Sequence, residues 1–151
     1  MAFLYLDTSA LVKLYVRETG TERMLQLVHP DAEHQLAILS ITRVEFRAAV
    51  RRRAKLGDID STLADELIRD FIDHLASIFQ VQPVNDLVLN KATGVVDRHG
   101  VRSYDAIQLA GCLALRSTVG DEMETKFVCA DNDLLRAAQG EGLPTINPAA
   151  S

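Results

Sequence analysis

The sequence predicts a three-layer α/β/α sandwich, with helices on both faces of a central parallel sheet of four or five strands. Three observations carry this. Strand and helix signals alternate along the chain. The strand segments are short, near-continuous apolar runs, as in strands covered on both faces. The chain has 151 residues, 48% hydrophobic and 25% charged, enough for one globular domain with a sizeable core. That single domain is expected to span residues 1–151.

The elements follow in order. Residues 2–6 (AFLYL) read as a buried strand. Residues 10–16 and 20–28 read as helices, divided at Thr19-Gly20. "LAILS" (36–40) is the second strand, and a helix runs from Thr42 to Lys55, where "KLGDID" breaks it. Over residues 61–76, Leu63, Leu67, Phe71 and Leu75 recur at every fourth position, the period of a helix. "IFQVQP" (78–83) is a third strand, closed by Pro83. Asn85 is placed to cap a helix to His99, and Ser103 another to Leu115. "KFVCA" (126–130) is a strand, Asp131 opens a short helix, and "PTIN" supplies the last strand. Right-handed crossovers would join these strands, and a ligand would sit beyond their carboxyl ends, near a switch in strand order.

Bulk properties narrow the function. A net charge of −5 argues against a protein that coats a duplex, though it leaves room for a local groove. Cys112 and Cys129 lie in apolar surroundings without CxxC spacing, so neither a disulfide framework nor a zinc site is expected. No basic-then-apolar leader opens the chain, and no apolar run approaches the ~20 residues of a membrane span. A soluble cytoplasmic protein is the expectation.

Four acids stand at or near helix starts: Asp7, Glu45, Asp105 and Asp131. Three of them follow a strand closely, so a parallel sheet would bring those three to one rim. Each has a structural explanation. The helix macrodipole favours acids in a first turn. Thr42-x-x-Glu45 matches a capping box, and Asp131 is a good N-cap by type. Thr8 and Ser9 could cap the first helix without Asp7. Asp105 resists explanation of this kind. It opens AIQLAGCLAL, apolar nearly all round, with no basic residue within a turn on the helical side. An unpaired buried carboxylate costs several kcal/mol unless something neutralises it. Several carboxylates, with His29, His34, His74 and His99 scattered, favour a hard cation, Mg²⁺ or Mn²⁺. Phosphodiester or phosphoryl chemistry is natural to such a cation.

"LDTSALVKLY", "SITRVEF", "RSYDAIQLA" and "FVCADNDLLRAA" resemble, in order and spacing, the four motif blocks of PIN-domain ribonucleases, and in particular the VapC toxins of bacterial toxin–antitoxin modules. The blocks cover residues 3–138. The resemblance implies a PIN-like fold and an acidic quartet, Asp7, Glu45, Asp105 and Asp131, that holds Mg²⁺ or Mn²⁺ and cleaves RNA. It implies a small cognate antitoxin and a toxin homodimer. The family often has Ser or Thr where Cys129 stands here. Asp133 is an extra acid that could support a water or only cap a helix. Ser9 and Thr8 could hold Asp7 or a water at the metal.

An RNA path is less plain. At roughly 100° per residue, Arg43, Arg47 and Arg51 form one stripe, and Arg43 points roughly 160° away from Glu45. Arg52 shares the face of Glu45 about two turns on and is the candidate phosphate contact. The helices around 10–28 and 42–76 offer grooves for the antitoxin, with Phe46, Leu63, Leu67 and Phe71 available in part. Two other readings compete. A metal-dependent phosphatase of the HAD type would need an aspartate where Ser9 stands. A non-catalytic PIN-like domain that only binds RNA or a partner would have lost ligands, and all four acids are present.

Overall fold

β1 (Phe3–Leu6) is the middle strand of the sheet, and its alternation sets the two layers around it. Phe3 and Tyr5 point into one core and Leu4 and Leu6 into the other, so the strand is buried on both faces. It pairs in parallel with β2 (Gln35–Leu39) on one side and β4 (Thr125–Val128) on the other. β3 (Phe79–Gln82) and β5 (Thr145–Ile146) complete a five-stranded, all-parallel sheet in the order β3-β2-β1-β4-β5. The computed structural model describes residues 1–150; Ser151, the end of the expected domain, lies outside the described residues.

Helices cover both faces, which makes the three-layer α/β/α sandwich. α1 (Thr8–Leu11), α2 (Thr21–Val28), α3 (Thr42–Lys55) and α4 (Ser61–Ser77) pack on the Leu4 and Leu6 side. α5 (Asp86–His99), α6 (Ser103–Val119) and α7 (Asn132–Gly140) pack on the Tyr5 side. α6 is the most buried helix, as its apolar run predicts, with Ala106, Leu109, Ala110, Cys112, Leu113 and Leu115 inside. The chain builds outward from β1 to β2 and β3, then returns to lay β4 on the other side of β1. The switch in strand order therefore falls between β1 and β4, and a crevice opens there at the carboxyl ends.

Local chemistry departs from the sequence reading in four places. The segment expected as a helix over 10–16 starts at Thr8, and tightens to a 3₁₀ turn over Val12–Leu14. Asp7 itself is the N-cap of α1, accepting from the Ser9 N–H at 3.2 Å, so Thr8 and Ser9 do not take that role. Thr42 and Glu45 form no capping box. The chain enters α3 through a turn in which the Arg43 and Val44 N–H groups already donate to the Ser40 and Ile41 carbonyls. The Thr42 hydroxyl is thereby freed for another partner. Ser103 lies inside α6 rather than capping it, and the helix continues past Leu115 to Gly120 at its C-cap. Asn85 does cap α5, through the Val88 N–H. Among the described residues no helix is long and apolar enough to cross a membrane.

Candidate active site

The crevice between β1 and β4 begins with Asp7, which follows β1 directly and is 6% exposed. Its Oδ2 accepts from the Ser9 hydroxyl at 2.6 Å and from the Cys129 thiol at 3.5 Å. Ser9 Oγ also accepts from the Ala130 N–H at 3.0 Å, so one hydroxyl ties the end of β1 to the end of β4. Burial raises the Asp7 carboxyl to about 6. The Ser9 bonds oppose that rise, and the nearby Glu45 carboxylate adds to it.

Glu45 enters from α3. Its Oε1 accepts from the Thr8 hydroxyl at 2.9 Å and from Gln108 Nε2 at 2.6 Å. Asp105 enters from the first turn of α6 and is half-buried. Its carboxyl is raised by burial first, then by Asp131 and Glu45, and Arg102 partly offsets this. Asp131 follows β4 and caps α7, its Oδ1 accepting from the Asp133 and Leu134 N–H groups at 2.9 and 3.3 Å. Asp7 thus feels the charge of Glu45, and Asp105 feels Asp131 and Glu45; among the described residues none of the four acids forms an ion pair. Among those residues no three His, Cys, Asp or Glu side chains are grouped tightly enough to hold a metal ion by themselves. The donors are nonetheless carboxylate and hydroxyl oxygens, which suit a hard cation. Mg²⁺ in particular keeps several waters and takes only one or two carboxylates directly, so a closed protein cage is not required.

The place where family members carry Ser or Thr is held by the Cys129 thiol. It is buried against Asp7 and raised by that burial, so it remains a neutral donor. Asp133 is exposed and pairs with Arg136, one turn along α7. Arg52 is exposed on α3. On that side of the crevice Ala49 and Arg53, not Arg52, line a small depression with Thr8, Ser9 and Asp131. Arg53 is engaged there by Glu18.

A cleft of about 630 Å³ opens in front of Asp105 and Asp131, with Arg102, Arg136, His99 and Asp133 also on its walls. Sequence reading missed Arg102 and Arg136. Each is near an acidic motif, three residues before Asp105 and five after Asp131, and spacing from the acids would have found them. It also missed Gln108, whose signal was a polar residue alone in the apolar face of α6.

The family model for the PIN domain matches residues 4–139. The chain belongs to the PIN-domain family. This PIN domain is 28% identical over 151 residues to Ribonuclease VapC47 of Mycobacterium tuberculosis, covering 97% of this chain and 98% of that one. Its fold is similar to a toxin–antitoxin complex from Klebsiella pneumoniae (TM-score 0.66, 15% identity, 96% of this chain and 97% of that one). It is also similar to VapBC2 from Rickettsia felis bound to a DNA fragment from their promoter (TM-score 0.63, 14% identity, 96% of this chain and 98% of that one). The PIN-domain match over residues 4–139 bears out the resemblance read from sequence.

Proposed function

We propose that this PIN domain is a metal-dependent ribonuclease that hydrolyses phosphodiester bonds of single-stranded or structured RNA, and that it is the toxin of a toxin–antitoxin pair. Residues 1–151 act as one catalytic unit, in the cytoplasm, as a homodimer. The observation that carries the reading is the set of carboxylates at the switch point without a basic partner, in which Glu45 raises Asp7, and Asp131 and Glu45 raise Asp105. Asp7, Glu45, Asp105 and Asp131 would hold Mg²⁺ or Mn²⁺ through their free oxygens. When bound, such a cation polarises a phosphate oxygen and makes a water more acidic. Ser9 holds Asp7 in place through its two bonds. Arg102 and Arg136 face the cleft and meet phosphates first; Arg52 lies further out as a secondary contact. Asp133 is tied to Arg136 and orients that guanidinium.

The relatives also suggest a protein partner. A second groove of about 630 Å³ runs between α3 and α4, with Phe46, Ile68 and Phe71 on its floor and Arg43, Arg47 and Arg51 on its rim. It suits an amphipathic, acidic antitoxin segment.

Cleavage of RNA by wild type and Asp105→Asn, with Mg²⁺ or Mn²⁺ and with EDTA, tests the function. Wild type should cleave only with metal, and Asp105→Asn should lose at least about 100-fold, the scale of a charge placed at the reacting centre. Equal cleavage by the variant, or unchanged cleavage in EDTA, defeats the reading.

A further inference from the structure

Gln108 is buried at the centre of the molecule, 1% exposed, on a helix whose inward face is otherwise apolar. A buried carboxamide has four hydrogen-bonding sites to satisfy. Here its partners come from three other elements. Nε2 donates to Glu45 Oε1 at 2.6 Å and to Thr42 Oγ1 at 2.8 Å, and stands 3.3 Å from Thr8 Oγ1. Oε1 accepts from the Tyr5 hydroxyl at 3.1 Å. The amide's orientation follows from chemistry. A carboxylate oxygen accepts, so the nitrogen faces Glu45. The oxygen is then left to accept from the Tyr5 hydroxyl.

Two further features make sense only with this network. Thr42 gives up the capping role its sequence position suggests and points its hydroxyl at Gln108. Gly111, one turn along α6, leaves room for Tyr5 to reach Gln108, since a Cβ there would lie 2.4 Å from the Tyr5 hydroxyl.

We propose that Gln108 is a positioning residue for Glu45: backed by Tyr5, it fixes Oε1 and so turns Oε2 toward the other acids. The inference rests on the metal-dependent reading above. Gln108 touches neither substrate nor metal. It acts through Glu45, as an outer partner that orients a ligating carboxylate.

Mn²⁺ titration of the folded protein, following free Mn²⁺ by electron paramagnetic resonance, tests this without any turnover. Gln108→Leu should weaken Mn²⁺ binding about 10–100-fold, the usual effect of losing an outer-shell partner. Tyr5→Phe keeps the ring and removes only the hydroxyl behind Gln108; it should weaken binding about two- to tenfold, the share of one neutral hydrogen bond. A general loss of packing would lower the melting temperature and leave Mn²⁺ affinity of the folded fraction unchanged. If Gln108→Leu folds and binds Mn²⁺ as wild type does, the positioning role is wrong and the metal site stands. If Gln108→Leu does not fold, Tyr5→Phe decides, and unchanged affinity there overturns the role. If wild type binds no Mn²⁺, the metal reading itself fails and takes this one with it.

Discussion

At the scale of single residues, Asp7 shows how a carboxylate can be useful and costly in one place. Its carboxyl is raised from 3.8 to about 6, chiefly by burial. Between those values the folded chain holds a proton that the unfolded chain has lost. Stability of the metal-free protein should therefore fall as pH rises from about 4 to about 6, by at most about 3 kcal/mol from this group. Asp7→Asn removes the charge and keeps an oxygen that can accept from Ser9. Without metal, the variant should melt a few degrees above wild type at pH 8, since ~1 kcal/mol shifts a chain of this size by about 2–4 °C. At pH 5 wild-type Asp7 is largely protonated in the folded chain but still ionised in the unfolded one, so the gap should shrink to about half. Thermal melts in EDTA at the two pH values check this, and a gap independent of pH would show that Asp7 is not the strained group. The sequence marked Asp7 as an acid in apolar company but misjudged its local bonds. A cap depends on the backbone angle at one residue, and residue types alone leave Asp7, Thr8 and Ser9 all eligible.

At the scale of elements, β1 and α6 meet through one close approach. Tyr5 on the strand passes beneath Gly111 on the helix, where a Cβ would lie 2.4 Å from its hydroxyl and 2.9 Å from Leu39 Cδ1. On an exposed helix, Gly→Ala would stabilise by up to about 1 kcal/mol. Here overpacking should win, and Gly111→Ala should destabilise by about 1–3 kcal/mol in urea unfolding. In a Tyr5→Phe background the same change should cost less, because the atom most in the way is gone. Strict additivity in that double-mutant cycle would mean that the helix and strand are not held apart by this contact. Most element identities were legible from period and length: α3, α4 and α5 fall within a residue or so of their expected limits. The first helix was less legible. It is one α turn followed by a 3₁₀ turn, and segments that short carry too few periods to read. The glycine's role was invisible for another reason: Gly111 is close to Gln108 in sequence, but Tyr5 reaches it only through tertiary packing.

At the scale of the whole molecule, strand order does what no single motif does. Because β1 is central and β4 returns to its far side, Asp7 and Asp131 follow the carboxyl ends of neighbouring strands at the switch point, and α3 and α6 bring Glu45 near Asp7 and Asp105 near Asp131. The sequence located all four acids because each sits at an element boundary, where type and spacing carry information. It did not locate the basic wall opposite them. Arg52 was selected by its angle about its own helix axis, and that angle says nothing of which neighbouring helix closes the cleft. The walls beside Asp105 and Asp131 instead carry Arg102 and Arg136. With a net charge of −5, RNA gains little from the protein's overall field, so attraction must be local and rest on few contacts. This fixes the expected salt dependence. For single-stranded RNA each neutralised phosphate contributes ~0.7 to the slope of log affinity against log salt. In Mg²⁺, on a cleavage-silenced Asp105→Asn background, Arg102→Ala with Arg136→Ala should flatten that slope by roughly 1.4. Arg52→Ala should flatten it by less than half of that. If Arg52→Ala matches the double variant, the strand runs along α3 rather than through the cleft, and the phosphate contacts must be reassigned to that helix.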